Sequence, residues 1–230
     1  MMIVRELPGH GPAIDRLVEK SFGPDRTTKT VYRLRDGVPS VAALNLVAVE
    51  GAEVIGTIRF WPIVIGPRRV PAVLLGPIAI EEKYRSLRIG TQLMRAALER
   101  CREEGHEIVI LVGDEPYYRR FGFRRDLAVN LDLPGPVDLD RFLGLELVEG
   151  ALAGVTGMID KPTAQELEPQ VSVPVLPGAA NKQVWVRRAW AEKDQRTGTD
   201  GLGTVLFFDP AFLPPERAIA PPPEDRRLSA

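Results

Sequence analysis

Cysteine is nearly absent: Cys101 is the only one in 230 residues. A single thiol excludes an intrachain disulfide and any multi-thiolate zinc or iron–sulfur site, and it fits a reducing, cytoplasmic setting. Long hydrophobic runs are missing too. No uncharged apolar stretch approaches the ~20 residues that a membrane span requires. Arg5 and Glu6 stand where a secretory signal would need its apolar segment, so a soluble protein without membrane association is expected. Charge of one sign is also lacking, with 30 Lys and Arg against 31 Asp and Glu, a formal net charge of −1. The Arg-Arg pairs at 68–69, 119–120, 124–125 and 187–188 are scattered rather than gathered into a basic face, which excludes nucleic acid as the main partner. Histidine is confined to His10, in a turn, and His106, beside a strand start. No metal site is expected.

What remains is a chain that is 44% hydrophobic, enough to bury a globular core. The pattern predicts one domain over 1–160 and an extension over 161–230. Ala13, Ile14, Leu17, Val18 and Phe22 recur at helical spacing, which predicts a helix from Pro12 to Phe22 after a short strand at Ile3–Leu7. A weaker helix is expected over Thr28–Arg35. Leu44–Val49, Glu53–Ile65 and Val70–Glu81 are three β-branched runs separated by turns, and they predict an antiparallel meander. From Arg88 the period changes. Ile89, Leu93, Ala97 and Cys101 lie four apart, a helix stripe that Gly105 ends. Glu107–Val112 is an apolar strand buried on both faces, so strand, helix and strand form a βαβ unit. Asp114 is expected to cap a short helix. Val137–Leu147 reads as partly helical and Gly150–Ile159 as a closing strand. In the extension, 184–208 predicts a hairpin, and Pro215–Ala230 is a proline-rich tail.

Chemistry is concentrated where the third strand turns into the long helix. A helix start carries unpaired N–H groups and the positive end of the macrodipole, and so binds phosphate through backbone alone. Arg85 and Arg88 add charge for a diphosphate, and Gly90 permits close approach of the backbone. Gly76-Pro77 lies inside the strand, where proline belongs at an edge or a bulge. A bulge there would splay the strand from its neighbour. It would free the backbone of Ile78, Ala79 and Ile80 for an extended, amide-bearing ligand such as pantetheine.

This stretch resembles the coenzyme A-binding motif of GNAT-type N-acetyltransferases, in which Gln/Arg-x-x-Gly-x-Gly/Ala follows a strand. Arg85, Ile89 and Gly90 match, whereas Arg88 replaces the middle glycine, either restricting the turn or adding a phosphate contact. The segment Leu111–Phe123, with its Tyr117-Tyr118 pair before Phe121-Gly122-Phe123, is similar to a YhbS-like bacterial subgroup of that family. The resemblance covers about residues 2–160. It implies an α/β (α+β) fold with a mixed, mostly antiparallel sheet, flanked by helices and splayed at its centre. It also implies acetyl-CoA as co-substrate and direct attack of a small-molecule or peptide amine on the thioester. The diphosphate would rest on Arg85, Ser86, Leu87, Arg88, Ile89, Gly90 and Thr91. Tyr118 would be the general acid and also touch the cofactor. A backbone N–H of Ile78 or Ala79 would hold the oxyanion. Glu81, Glu82, Asp114 and Glu115 stay open as bases, and acyl groups other than acetyl stay open too.

Each residue has a plainer reading. Tyr117 is expected to be the core member of its pair, and Cys101 a small buried hydrophobe. Trp185 and Trp190 are expected to anchor the extension. The roles left open for them are an acceptor pocket or a homodimer contact. A non-catalytic acyl-CoA-binding regulatory module is the alternative function.

Overall fold

The computed structural model describes residues 1–167. The hairpin expected at 184–208, the two tryptophans within it and the proline-rich tail lie outside the described residues.

Among the described residues eight strands form the sheet: β1 (Met2–Arg5), β2 (Leu46–Glu50), β3 (Glu53–Ile65), β4 (Val70–Ile80), β5 (Ile108–Val112), β6 (Leu131–Asp132), β7 (Phe142–Glu146) and β8 (Gly157–Asp160). Their order is β1-β2-β3-β4-β5-β7, with β8 added beside the far end of β3 and β6 beside β8. The meander from β2 to β4 is antiparallel, as expected, and β5 joins β4 in parallel through the long helix α3 (Ile89–Glu103). Among the described residues no helix is long and apolar enough to cross a membrane, and no cluster of three metal-ligating side chains occurs.

Alternation along the strands explains the layering. Val109 and Leu111 of β5 face a core shared with Leu93, Met94, Ala97 and Leu98 of α3, whereas Ile108 and Ile110 face the opposite core. β5 is therefore buried on both faces. Cys101 is sealed under α3, where burial pushes its thiol up to about 12, so it behaves as the small hydrophobe expected. On the other face, helix α1 (Gly11–Phe22) lays Ile14, Leu17 and Val18 against Val47, Val49 and Ala79.

Several sequence expectations are corrected. The helix expected at Thr28–Arg35 is a 3-10 turn at Pro24–Thr28 followed by a four-residue helix, α2 (Thr30–Arg33). Val137–Leu147 is not helical beyond one 3-10 turn at Leu139–Arg141. Phe142–Glu146 pairs with β5 over five residues instead, because its apolar side chains fill both cores. A short apolar run has no period that separates strand from helix. The closing strand begins only at Gly157, since the Glu146 carboxylate accepts the N–H groups of Gly150 and Leu152 and holds that segment in turns. Asp114 heads the short helix α4 (Glu115–Tyr118) without capping it. Pro116 offers no N–H, and the Tyr117 N–H donates to the Asp114 backbone carbonyl at 2.9 Å. The Asp114 carboxylate pairs with Arg141 at 3.1 Å instead.

Candidate active site

The sheet opens at its centre. β4 and β5 pair only at Val73 with Val109 and Leu74 with Ile110, and beyond Leu74 the two strands part. The cause is on β4. Against β3, Ile78 faces Ile58 but Leu75 faces Phe60, so β4 spends one extra residue at Gly76-Pro77. Gly76 has φ +119°, and the Gly76–Pro77 peptide is cis. The bulge inferred from a proline inside a strand is therefore present.

Past the bulge, β4 keeps its pairing with β3 on one side only. The Glu81 N–H donates to the Ile55 carbonyl at 2.9 Å. Backbone groups alternate in direction along an antiparallel strand. Those of Ala79 therefore turn to β3, and those of Ile78 and Ile80 turn into the gap.

A cavity of about 650 Å³ runs from Ile78, Ala79 and Ile80 to Arg85, Arg88, Gly90 and Thr91, with Tyr117 and Arg120 along one wall. Its far end is the start of α3. Thr91 and Gln92 donate to the Arg88 carbonyl at 3.0 and 3.1 Å, and no side chain caps the helix. The N–H groups of Ile89 and Gly90 have no partner among the described residues. A Cβ at Gly90 would sit 2.9 Å from the Tyr117 hydroxyl, so a larger residue there would displace the tip of Tyr117. Ser86 and Leu87 lie on the exposed 3-10 turn Glu82–Leu87, and the Ile89 side chain is buried in the core. These three do not line the cavity with their side chains.

Arg88 adopts φ +56°, ψ +23°. The turn thus keeps the left-handed conformation that a glycine would adopt without strain, which costs an arginine about 1–2 kcal/mol. Arg88→Gly is expected to raise stability by up to about 1 kcal/mol, after the loss to greater chain freedom in the unfolded state. Urea denaturation checks this.

Tyr118 lies around the corner from that cavity. It lines a second one, of about 290 Å³, opposite Leu75, Gly76, Pro77 and Ile78 across the split. Ile78 belongs to both cavities and forms the ridge between them. The roles expected within the tyrosine pair are corrected. Tyr118 packs on the main core, edge-on to Phe123 at 5.9 Å, whereas Tyr117 faces the larger cavity and crosses the Tyr118 ring at 5.0 Å. Burial raises the Tyr118 phenol above the ordinary tyrosine range, and Tyr117 and Asp114 push the same way. Its hydroxyl makes no hydrogen bond among the described residues.

Of the carboxylates considered as bases, Glu81 is held by Lys20 at 2.8 Å, and this contact lowers its pKa. Glu115 lies 3.7 Å from Arg119. Neither Glu81, Glu82 nor Glu115 lines these cavities, whereas Asp114 lines the first and Asp138 the second. His10 accepts the Leu7 N–H at 3.2 Å, and neither histidine lines the site. Sequence reasoning missed Asp138, Tyr32, Arg35 and Gly113. Tyr32 lies on the four-residue helix α2, Arg35 in the turn after it and Asp138 at the head of the 3-10 turn Leu139–Arg141, and these segments meet the bulge only through contacts distant in sequence. Gly113 carries a local signal, a glycine directly after an apolar strand.

The acetyltransferase (GNAT) family model matches residues 12–123. The N-acetyltransferase YhbS of Escherichia coli strain K12 is 35% identical over 163 residues, 70% of this chain and 95% of the relative. YjhQ, an N-acetyltransferase of the same organism, is 28% identical over 45% of this chain and 59% of its own length. The crystal structure of Escherichia coli YhbS in complex with CoA aligns with a TM-score of 0.61 at 33% identity, covering 70% of this chain and 89% of that one.

Proposed function

We propose that this chain, which belongs to the acetyltransferase (GNAT) family and is an N-acetyltransferase, binds acetyl-CoA along the opened edge of β4 and passes the acetyl group directly to the amine of a small molecule or a peptide. The observation that carries this reading is the split between β4 and β5, with the bulged Gly76–Ile78 on one bank and Tyr118 on the other. The relative aligned in structure holds CoA, and the donors present here fit that molecule. Arg85, Arg88 and the unpaired N–H groups at the α3 start suit a diphosphate. Ser86, Leu87 and Thr91 shape the turn. The outward N–H and C=O groups of Ile78 and Ile80 suit the amides of the pantetheine arm.

On this reading the thioester lies at the Ile78 ridge. The amine nitrogen forms a bond to the carbonyl carbon, and the electron pair moves onto oxygen. The Ile78 N–H holds that developing charge, since the Ala79 N–H is turned to β3. The C–S bond then breaks, and Tyr118 gives its phenolic proton to the departing sulfur. The proton of the attacking amine leaves to water or to a carboxylate. Asp138 lines the acceptor side and Asp114 the cofactor side.

The test is release of free CoA from acetyl-CoA across a panel of amines. Amine-dependent release is expected, and its absence with every amine would leave only a binding role. A second test addresses the diphosphate. Charge-assisted hydrogen bonds contribute about 1.5–3 kcal/mol each. Arg85→Ala combined with Arg88→Ala is therefore expected to weaken CoA binding at least about a hundredfold, read by titration calorimetry. Unchanged affinity would mean that the diphosphate lies elsewhere.

A further inference from the structure

The 290 Å³ cavity that holds Tyr118 is lined by four cationic side chains, Arg26, Lys29, Arg35 and Arg141, against the single carboxylate of Asp138. Two of the four are held by oxygen atoms, and a third, the exposed Lys29, meets an aromatic ring alone. Arg26 donates to the Gly23 carbonyl at 3.1 Å, Arg141 pairs with Asp114, and the Lys29 ammonium lies over the Phe22 ring. Arg35 differs. Its guanidinium lies over the rings of both Tyr32 and Trp61, 4.7 and 4.8 Å from their centroids. Its Nε is buried without a hydrogen-bond partner, and it forms no ion pair among the described residues. One terminal nitrogen lies 3.3 Å from where a Cβ would stand on Gly76, so the group reaches the bulge itself.

Partly burying a cation without a counter-charge is costly, and this burial lowers the Arg35 pKa to about 10, which leaves it charged at neutral pH. Two aromatic faces recover part of that cost and fix the plane of the fork. On its edge, the side that grips a carboxylate through two parallel hydrogen bonds, Nε has no hydrogen-bond partner among the described residues. Arg35 lines both the inner cavity and the adjoining outer one of about 830 Å³. A group bound to it would stand at the mouth of the path that leads to Tyr118.

We propose that the acceptor is an amine that also carries a carboxylate, and that Arg35, held against Tyr32 and Trp61, binds that carboxylate so that the amine points to the thioester. This rests on the N-acetyltransfer reading of the same site. Asp138 lies within the cavity as the counterpart for the ammonium end, so the lining suits a zwitterion better than a simple base.

The experiment compares pairs of amines that differ only in a free carboxylate or its carboxamide, using the full chain with acetyl-CoA. The wild type is expected to favour the carboxylate by at least about tenfold in kcat/KM, the scale of one charge-assisted contact. Arg35→Gln is expected to reduce that preference to about twofold or less, and Arg35→Lys, which keeps the charge but not the fork, to retain part of it. CoA affinity should be unchanged in both variants, which separates loss of the acceptor contact from loss of the fold. Equal turnover of the paired amines by the wild type would overturn the proposal while leaving N-acetyl transfer intact. If no amine is turned over, calorimetric binding of the same pairs to the CoA-loaded protein decides it. A carboxylate preference that depends on Arg35 supports the proposal, and binding indifferent to Arg35 refutes it.

Discussion

Tyr118→Phe is expected to lower kcat by about a hundredfold to a thousandfold while leaving CoA affinity within twofold of wild type. Positioned acids contribute on this scale. The substitution removes one oxygen and keeps the ring that packs against the core and Phe123. Tyr118 lines the acceptor cavity and not the cavity assigned to the diphosphate, so the affinity for CoA should not follow kcat. The pH profile gives an independent check. A general acid works only while protonated, and burial holds this phenol above the ordinary tyrosine pKa of ~10. Its contribution is therefore present throughout the neutral and mildly alkaline range and is lost only above that value. A kcat that falls with an apparent pKa well below 10 would point to another group. Unchanged turnover in Tyr118→Phe would remove Tyr118 from the mechanism.

Much of this architecture could be read from the sequence, because its strongest signals are periodic. The meander comes from β-branched runs punctuated by turns, and α3 from a four-residue apolar repeat that ends at Gly105. The bulge was legible for a different reason. Proline cannot donate to a ladder, so Gly76-Pro77 within an apolar strand had to break the pairing on one side. The losses occurred where position depends on distant partners. β7 has no period of its own, and its strand character comes from the free edge of β5 that it completes. Asp114 has the composition of a cap, yet Arg141, 27 residues on, takes its carboxylate. The order of the two tyrosines between core and cavity is not legible, because adjacent residues on a helix diverge by about 100° and a four-residue segment has no period to say which direction meets the core. Arg88 stands out in the other direction. Its departure from glycine suggested an altered turn, but the backbone holds the left-handed conformation regardless and accepts the strain.

Gly113→Ala is expected to lower kcat at least about a hundredfold, although residue 113 carries no reacting group. A Cβ there would lie 2.2 Å from the nearest ring carbon of Tyr118 and within 3.0 Å of two others. Those atoms belong to a ring that packs against Phe123 and the core. The ring cannot yield by a rotamer change at its tip, so either it moves as a whole or the strand end shifts. The Gly113 N–H donates to the Arg141 carbonyl at 2.8 Å, which ties that strand end to the segment opposite. Overpacking of this kind costs about 1–3 kcal/mol of stability, and a displacement near 1 Å at a reacting group costs about a hundredfold in rate. Both losses should be visible, one by denaturant titration and the other by turnover. The decisive measurement is the double variant, since residues that act through one another are not additive. If Gly113 matters because it leaves room for the Tyr118 ring, Gly113→Ala with Tyr118→Phe should turn over within about threefold of Tyr118→Phe alone. The hydroxyl has then already gone, and misplacing its ring removes little more. Multiplicative losses would show instead that Gly113 shapes the split between β4 and β5 directly, with the phenol and the glycine serving the reaction through separate contacts.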